Sequence, residues 1–257
     1  MKKIVLLFVA ICLLLTVGCS SETDSIAEIK KRGALIVGVK SDVPNFGYLN
    51  PETGAYEGLE IDLARALAKF LLSDENAVKF IPVTSLTRGT LLDNHEIDLA
   101  IATFTITEER KNLYHFSAPY YTDEICFMVK KDSGIYSLED LEDKRIGAAF
   151  SSTAYDSLDK EYVTKRVGFT KKGFASYPEI KDALVADFVD VFAGDRSILL
   201  GYLDENLVIL EEGFDPQQYG IATKLSNKAL SNYVDSHFQV MKNDGTYEEI
   251  MERWLPQ

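Results

Sequence analysis

The chain has few of the residues from which several common kinds of chemistry are built. Its 257 residues include three cysteines, Cys12, Cys19 and Cys126. Cys126 stands alone in the apolar run 125–129, and a single thiol has no partner for an internal disulfide; it reads as a buried, inert side chain. The three histidines, His95, His115 and His237, are far apart in sequence, so no metal-ligand spacing forms and no metal or cofactor is expected. No G-x-S-x-G nucleophile elbow occurs, and no Ser/His/Asp set can be picked out. No apolar run reaches the roughly 20 residues needed to span a bilayer. Internal repeats and low-complexity tracts are also missing. Basic residues are scarce: 27 Lys and Arg face 40 Asp and Glu. Without a basic stripe to neutralise phosphates, nucleic acid is not an expected partner.

What is present begins with a processing segment. Lys2 and Lys3 precede an apolar stretch, 4–17, of the length of a signal-peptide core. Gly18-Cys19-Ser20-Ser21 follows and resembles a bacterial lipobox, although Thr16 stands where that pattern prefers an aliphatic residue. Residues 1–18 read as a signal peptide and 19–25 as a tether lipidated on Cys19, with plain secretion as the alternative. Two or three acyl chains would hold the protein on the outer face of a membrane. Losing Lys2 and Lys3 leaves 25 basic and 40 acidic residues, a formal charge of −15.

An apolar content of 46% supports real cores. Short apolar runs alternate with helical spacing, the pattern of an α/β protein. Strands are expected at 35–39, 97–103, 125–130, 145–150 and 189–193. Leu63, Ala64, Leu67, Ala68 and Leu71 recur at helical spacing and predict a helix over 59–72. Ser137 with Asp140 is a capping signature. A helix from about Asn227, a turn at Asn243-Asp244-Gly245 and a last helix through Trp254 close the chain.

Four segments, in order along nearly the whole mature chain, carry a family resemblance. They are Gly58-Leu59-Glu60-Ile61-Asp62-Leu63-Ala64-Arg65-Ala66-Leu67-Ala68, the run 98–110 (DLAIATFTITEER), Phe116-Ser117-Ala118-Pro119-Tyr120-Tyr121 and Asp244-Gly245-Thr246-Tyr247. Together they resemble the polar amino-acid family (family 3) of bacterial extracellular solute-binding proteins. Gly38-Val39-Lys40-Ser41-Asp42-Val43-Pro44 and Thr87-Arg88-Gly89 resemble its aspartate/glutamate-binding members.

The resemblance implies a periplasmic-binding-protein-like fold of type II, with two α/β lobes joined by two crossing strands that close as a hinge. Lobe 1 would be 26–124 with 219–257, and lobe 2 would be 128–215. The crossings are expected at 120–130 and 219–223. It further implies a monomer that serves an ABC importer as its extracytoplasmic substrate-binding subunit.

A zwitterion needs an anion site beside a cation site, because unpaired buried charge is costly. Arg110 follows a Thr107 cap in a first helical turn, and its fork suits a carboxylate; a surface pair with Glu108 or Glu109 is the plain alternative. Thr103 and Thr105 lie on the same approach, or simply cap a strand end. By resemblance Thr153 faces the ligand carboxylate and Asp195 receives the α-ammonium. Lys40 and Arg88 would grip a side-chain carboxylate, and Tyr177 and Tyr219 would line the pocket. The expected ligand is then L-aspartate or L-glutamate. Glutamine or another polar amino acid is the alternative within the family, and a dehydratase-like enzyme, an adhesin or a sensor domain are the alternatives outside it.

Overall fold

The computed structural model describes residues 25–160 and 167–255. The signal peptide and the lipidation expected at Cys19 lie outside the described residues. Among the described residues no helix is long and apolar enough to cross a membrane.

The described chain builds two large sheets and a small one. The first is ordered β5-β1-β6-β14-β7, from β1 (Leu35–Val39), β5 (Val78–Pro82), β6 (Leu99–Ile101), β7 (Tyr114–Phe116) and β14 (Ala222–Lys224). β1 runs parallel to β5 and β6, and β14 is antiparallel to β6 and β7. The second is ordered β10-β9-β11-β8-β12, from β8 (Tyr121–Lys130), β9 (Arg145–Ala149), β10 (Thr170–Phe174), β11 (Val191–Asp195) and β12 (Leu207–Ile209). β9 is parallel to β10 and β11, whereas β8 is antiparallel to β11 and β12. Central strands such as β1, β6 and β11 are buried almost throughout, which explains their continuous apolar runs. A small ribbon of β2 (Asp42–Val43), β3 (Gly47–Leu49) and β4 (Tyr56–Glu57) flanks the first sheet.

Helix α2 (Leu59–Leu72) follows α1 (Ser25–Arg32) and buries Leu59, Ile61, Leu63, Ala64, Leu67, Ala68 and Leu71. Its start depends on Gly58, whose φ of 128° is open to glycine and strained for other residues. A Cβ there would lie 2.1 Å from the Phe46 carbonyl oxygen. Ser73, in the left-handed conformation, ends the helix by returning its N–H to the Lys69 carbonyl. The chain ends in α7 (Lys228–Asp244) and α8 (Thr246–Trp254), separated by Gly245 at φ 87°.

The lobes are joined by β8 and by β13 (Phe214–Tyr219), which pair antiparallel from Phe214↔Ile125 to Tyr219↔Tyr121. The return strand thus begins at Phe214, upstream of the expected 219–223. Its sequence, Phe-Asp-Pro-Gln-Gln-Tyr, has no apolar alternation, and Pro216 sits at a register shift where a missing N–H is tolerated. The largest apolar cluster runs through both lobes and this hinge, from Leu35 and Leu67 through Tyr120 and Tyr219 to Phe192 and Ile198.

Candidate functional site

The C-terminal ends of β1, β6, β9 and β11 face one another across the cleft. This is where open α/β sheets gather ligands, since strand ends hand over there to loops and helix starts. Lys40 follows β1, Thr103 and Thr105 follow β6, and Thr153 opens α5 (Thr153–Ser157) after β9. Asp195 ends β11 and Tyr219 ends β13. Arg88 opens α3 (Arg88–Asp93), Arg110 lies in α4 (Glu108–Lys111), and Tyr177 opens α6 (Tyr177–Val185). The fold brings all nine together.

Arg110 spans the cleft. Its Nη1 donates to the Thr105 carbonyl at 2.8 Å and its Nη2 to the Ser151 carbonyl of the opposite lobe at 3.0 Å. Thr107 caps α4 by accepting from the Arg110 N–H at 3.1 Å. The Phe104 ring lies 5.0 Å from the Arg110 guanidinium and 4.0 Å from that of Arg88. Burial, with the charge of Arg88 second, lowers the Arg110 guanidinium to about 9, while Asp156 and Asp195 act the other way. Thr105 Oγ1 stands 3.4 Å from Thr153 Oγ1 of the other lobe, and Thr153 donates to Gln217 Oε1 at 2.5 Å.

Asp195 is the acidic counterpart. Tyr219 donates its hydroxyl to Asp195 Oδ2 at 2.5 Å and also reaches Asp123. Burial pushes the Asp195 carboxyl up to about 7 against the Tyr219 hydrogen bond; Asp123 raises it further, and Arg88 and Arg110 draw it down. Arg110 and Asp195 therefore stand close enough to shift one another, a half-buried cation and a buried anion.

The remaining charges are matched by neighbours. Lys40 is 1% exposed, with Nζ 3.1 Å from Asp42 Oδ1 and 4.7 Å from the centre of the Tyr177 ring. Burial lowers its pKa, with Arg88 adding to that and Asp42 opposing it. Arg88 is 2% exposed and donates through Nη1 to the Ala102 and Thr103 carbonyls at 2.6 and 2.9 Å. Thr103 adopts a φ of 44°, a costly conformation for a β-branched residue. Glu60 holds it from the other side, since Glu60 Oε1 accepts from the Thr103 N–H and from the Tyr120 hydroxyl, each at 2.5 Å. Burial raises the Glu60 carboxyl to about 7, partly offset by those hydrogen bonds and then by Lys40 and Arg88.

Glu60 and Asp42 are thus charged groups of the site that the sequence did not single out. Both lie inside the motifs that carry the resemblance, but on an amphipathic helix and in a short loop such residues read as solvated. Lys40 and Arg88 do flank the inner end of the cleft, with Asp42 and Glu60 as counter-charges. A cavity of about 490 Å³ continues outward between the lobes, lined by Ser85, Leu86, Phe104, Arg110, Ser151 and Tyr155 among others. Among the described residues no group of three His, Cys, Asp or Glu is placed to hold a metal ion.

The chain is similar to known proteins over most of its length. The glutamine-binding protein of Geobacillus stearothermophilus is 42% identical, covering 84% of this chain and 81% of that protein. The ABC transporter glutamine-binding protein GlnH of Bacillus subtilis is 37% identical, with 91% and 86% covered. A solved structure of an ancestral arginine-binding protein bound to glutamine is 34% identical, with a TM-score of 0.79, and covers 88% of this chain and 99% of that one. The likeness makes the architecture that of a two-lobed periplasmic-binding-protein fold. Residues 35–257, which supply both sheets and the whole site, match the bacterial extracellular solute-binding proteins, family 3, and the chain belongs to that family.

Proposed function

We propose that the protein captures a free amino acid between its lobes and delivers it to the membrane subunits of an ABC importer, with L-glutamine as the first ligand to test. The observation that carries this reading is the Arg110/Asp195 arrangement. Arg110 presents a guanidinium at the lobe boundary for an α-carboxylate, and Asp195 presents a buried acceptor for an α-ammonium. Glutamine is supported by two considerations. The relatives at 42% and 37% identity are named glutamine-binding proteins. With Glu60 and Asp195 ionised, above pH 7, the charges of the inner cleft also balance, with Lys40, Arg88 and Arg110 against Asp42, Glu60 and Asp195, so a neutral zwitterion adds no uncompensated charge there.

An acidic ligand is the second reading. It is favoured by the lowering of the Lys40 ammonium by burial and by the nearby Arg88 charge, and of Arg88 by burial, which a side-chain carboxylate would relieve. Parallel calorimetry with glutamine, glutamate and aspartate decides between them. Glutamine heat that exceeds both acids supports the first reading, strong glutamate or aspartate heat with weak glutamine supports the second, and no heat from any amino acid overturns both. The proposed tether is tested separately: Cys19→Ser should release the protein from membranes into the medium.

A further inference from the structure

We propose that Asp42 sets side-chain selectivity at this site, by presenting an acceptor beside the Lys40 donor and so matching an amide in preference to a carboxylate. The inference rests on the amino-acid reading above and names the group that discriminates within it.

Lys40 Nζ and Asp42 Oδ1 stand 3.1 Å apart. Yet Asp42 Oδ1 has no hydrogen bond of good geometry among the described residues, so it keeps acceptor capacity beside the Lys40 ammonium. An amide presents an acceptor oxygen and a donor NH2 on one carbon. Side by side, Lys40 and Asp42 complement both. A carboxylate has no donor, and it would bring a second anion to an ammonium already paired, which costs free energy in a buried site.

Asp42 is also fixed in place. It belongs to β2, where it pairs with Tyr48, and its carbonyl accepts from the Tyr202 hydroxyl of the opposite lobe at 2.5 Å. On the same side Gly201 abuts Pro44, where an added Cβ would lie 2.8 Å from Pro44 Cδ. Lobe contact therefore seats the Lys40/Asp42 pair, and Tyr177 covers Lys40 from lobe 2. Glu60, the other acid near Lys40, is less able to discriminate. Its Oε2 is unpartnered like Asp42 Oδ1, but its Oε1 is committed to the Tyr120 hydroxyl and the Thr103 N–H, and the acid paired with Lys40 is Asp42.

The test is calorimetry of Asp42→Asn, Lys40→Met and the double variant, each with glutamine and glutamate. Asp42→Asn should raise the glutamate-to-glutamine affinity ratio at least tenfold over that of the unaltered protein. Lys40→Met should lower the ratio, and Asp42→Asn should still raise it in the Lys40→Met background, because the Asp42 charge then opposes a ligand carboxylate with no ammonium to offset it. Asp42→Ser, which also removes the charge, keeps the proposal testable should Asp42→Asn fail to fold, with the same rise in ratio expected. Ratios that stay within twofold of the unaltered protein overturn the role of Asp42 while leaving amino-acid capture intact. Absence of binding by the unaltered protein overturns both.

Discussion

The Tyr219 hydroxyl donates to Asp195 Oδ2 at 2.5 Å, joining the last residue of a crossing strand to the last residue of β11. That bond holds the Asp195 carboxyl down against burial. Tyr219→Phe should raise it further, so that a higher pH is needed to ionise Asp195. Amino-acid affinity should fall by about tenfold at pH 7, in keeping with the ~1.5–3 kcal/mol of a charged hydrogen bond. The pH profile of binding should also move to higher pH. Affinity and profile both unchanged by calorimetry would contradict the assignment.

Arg110 reaches two carbonyls on opposite lobes with two different nitrogens. Lysine has one nitrogen and cannot reproduce the fork. Arg110→Lys should therefore weaken every amino-acid ligand by about a hundredfold, near the upper end of what one charged bidentate contact contributes. If the proposed contact is to the ligand backbone, the ranking of ligands should stay the same; a change in ranking would indicate a side-chain role.

Glu60 predicts a pH dependence of stability. Its folded pKa of about 7 stands above the ordinary 4.5. Between those values the folded protein holds a proton that the unfolded chain releases, so this contribution is complete below pH 4.5 and is lost as pH rises to about 7. Integrated over that window it amounts to about 3 kcal/mol. Glu60→Gln removes the titration. Its melting temperature relative to the unaltered protein should climb from pH 4.5 to 7 and level off above. A constant offset across that range would refute the buried titration.

Gly58 gives a test of the fold itself. With φ at 128° and the Phe46 carbonyl 2.1 Å from an added Cβ, Gly58→Ala meets both strain and a clash with backbone. It should cost more than ~2 kcal/mol. Gly54, with φ at 69° and nothing within 4 Å of an added Cβ, meets only the strain. Urea denaturation should show a much larger loss of midpoint for Gly58→Ala than for Gly54→Ala.

The sequence was most readable where one physical requirement dominates. Strand 35–39 and helix 59–72 occur as expected because each buries a continuous apolar set. The Ser137/Asp140 capping box forms, although on a single 3-10 turn, Leu138–Leu141, rather than a longer helix. Thr107 caps as its position predicts. The strand Phe214–Tyr219 was not readable, because its partner supplies its hydrogen bonds while its side chains are mostly polar. For the site, the nine residues singled out by motif converge. Their counter-charges did not stand out, because Glu60 acquires its meaning only when buried under the Thr103 turn, and Asp42 only when Lys40 and Tyr202 are brought beside it.

The pairing of β8 with β13 has one more implication. Tyr219 is hydrogen-bonded into the crossing ribbon opposite Tyr121 and, through its hydroxyl, to Asp195. Asp123, also on β8, accepts from the Ser197 N–H just beyond Asp195. The crossing strands and the proposed α-ammonium site are therefore one hydrogen-bonded unit. Cargo occupancy needs no relay of side chains to reach the pivot, and a change at Tyr219 should alter the speed of opening and the hold on the cargo together.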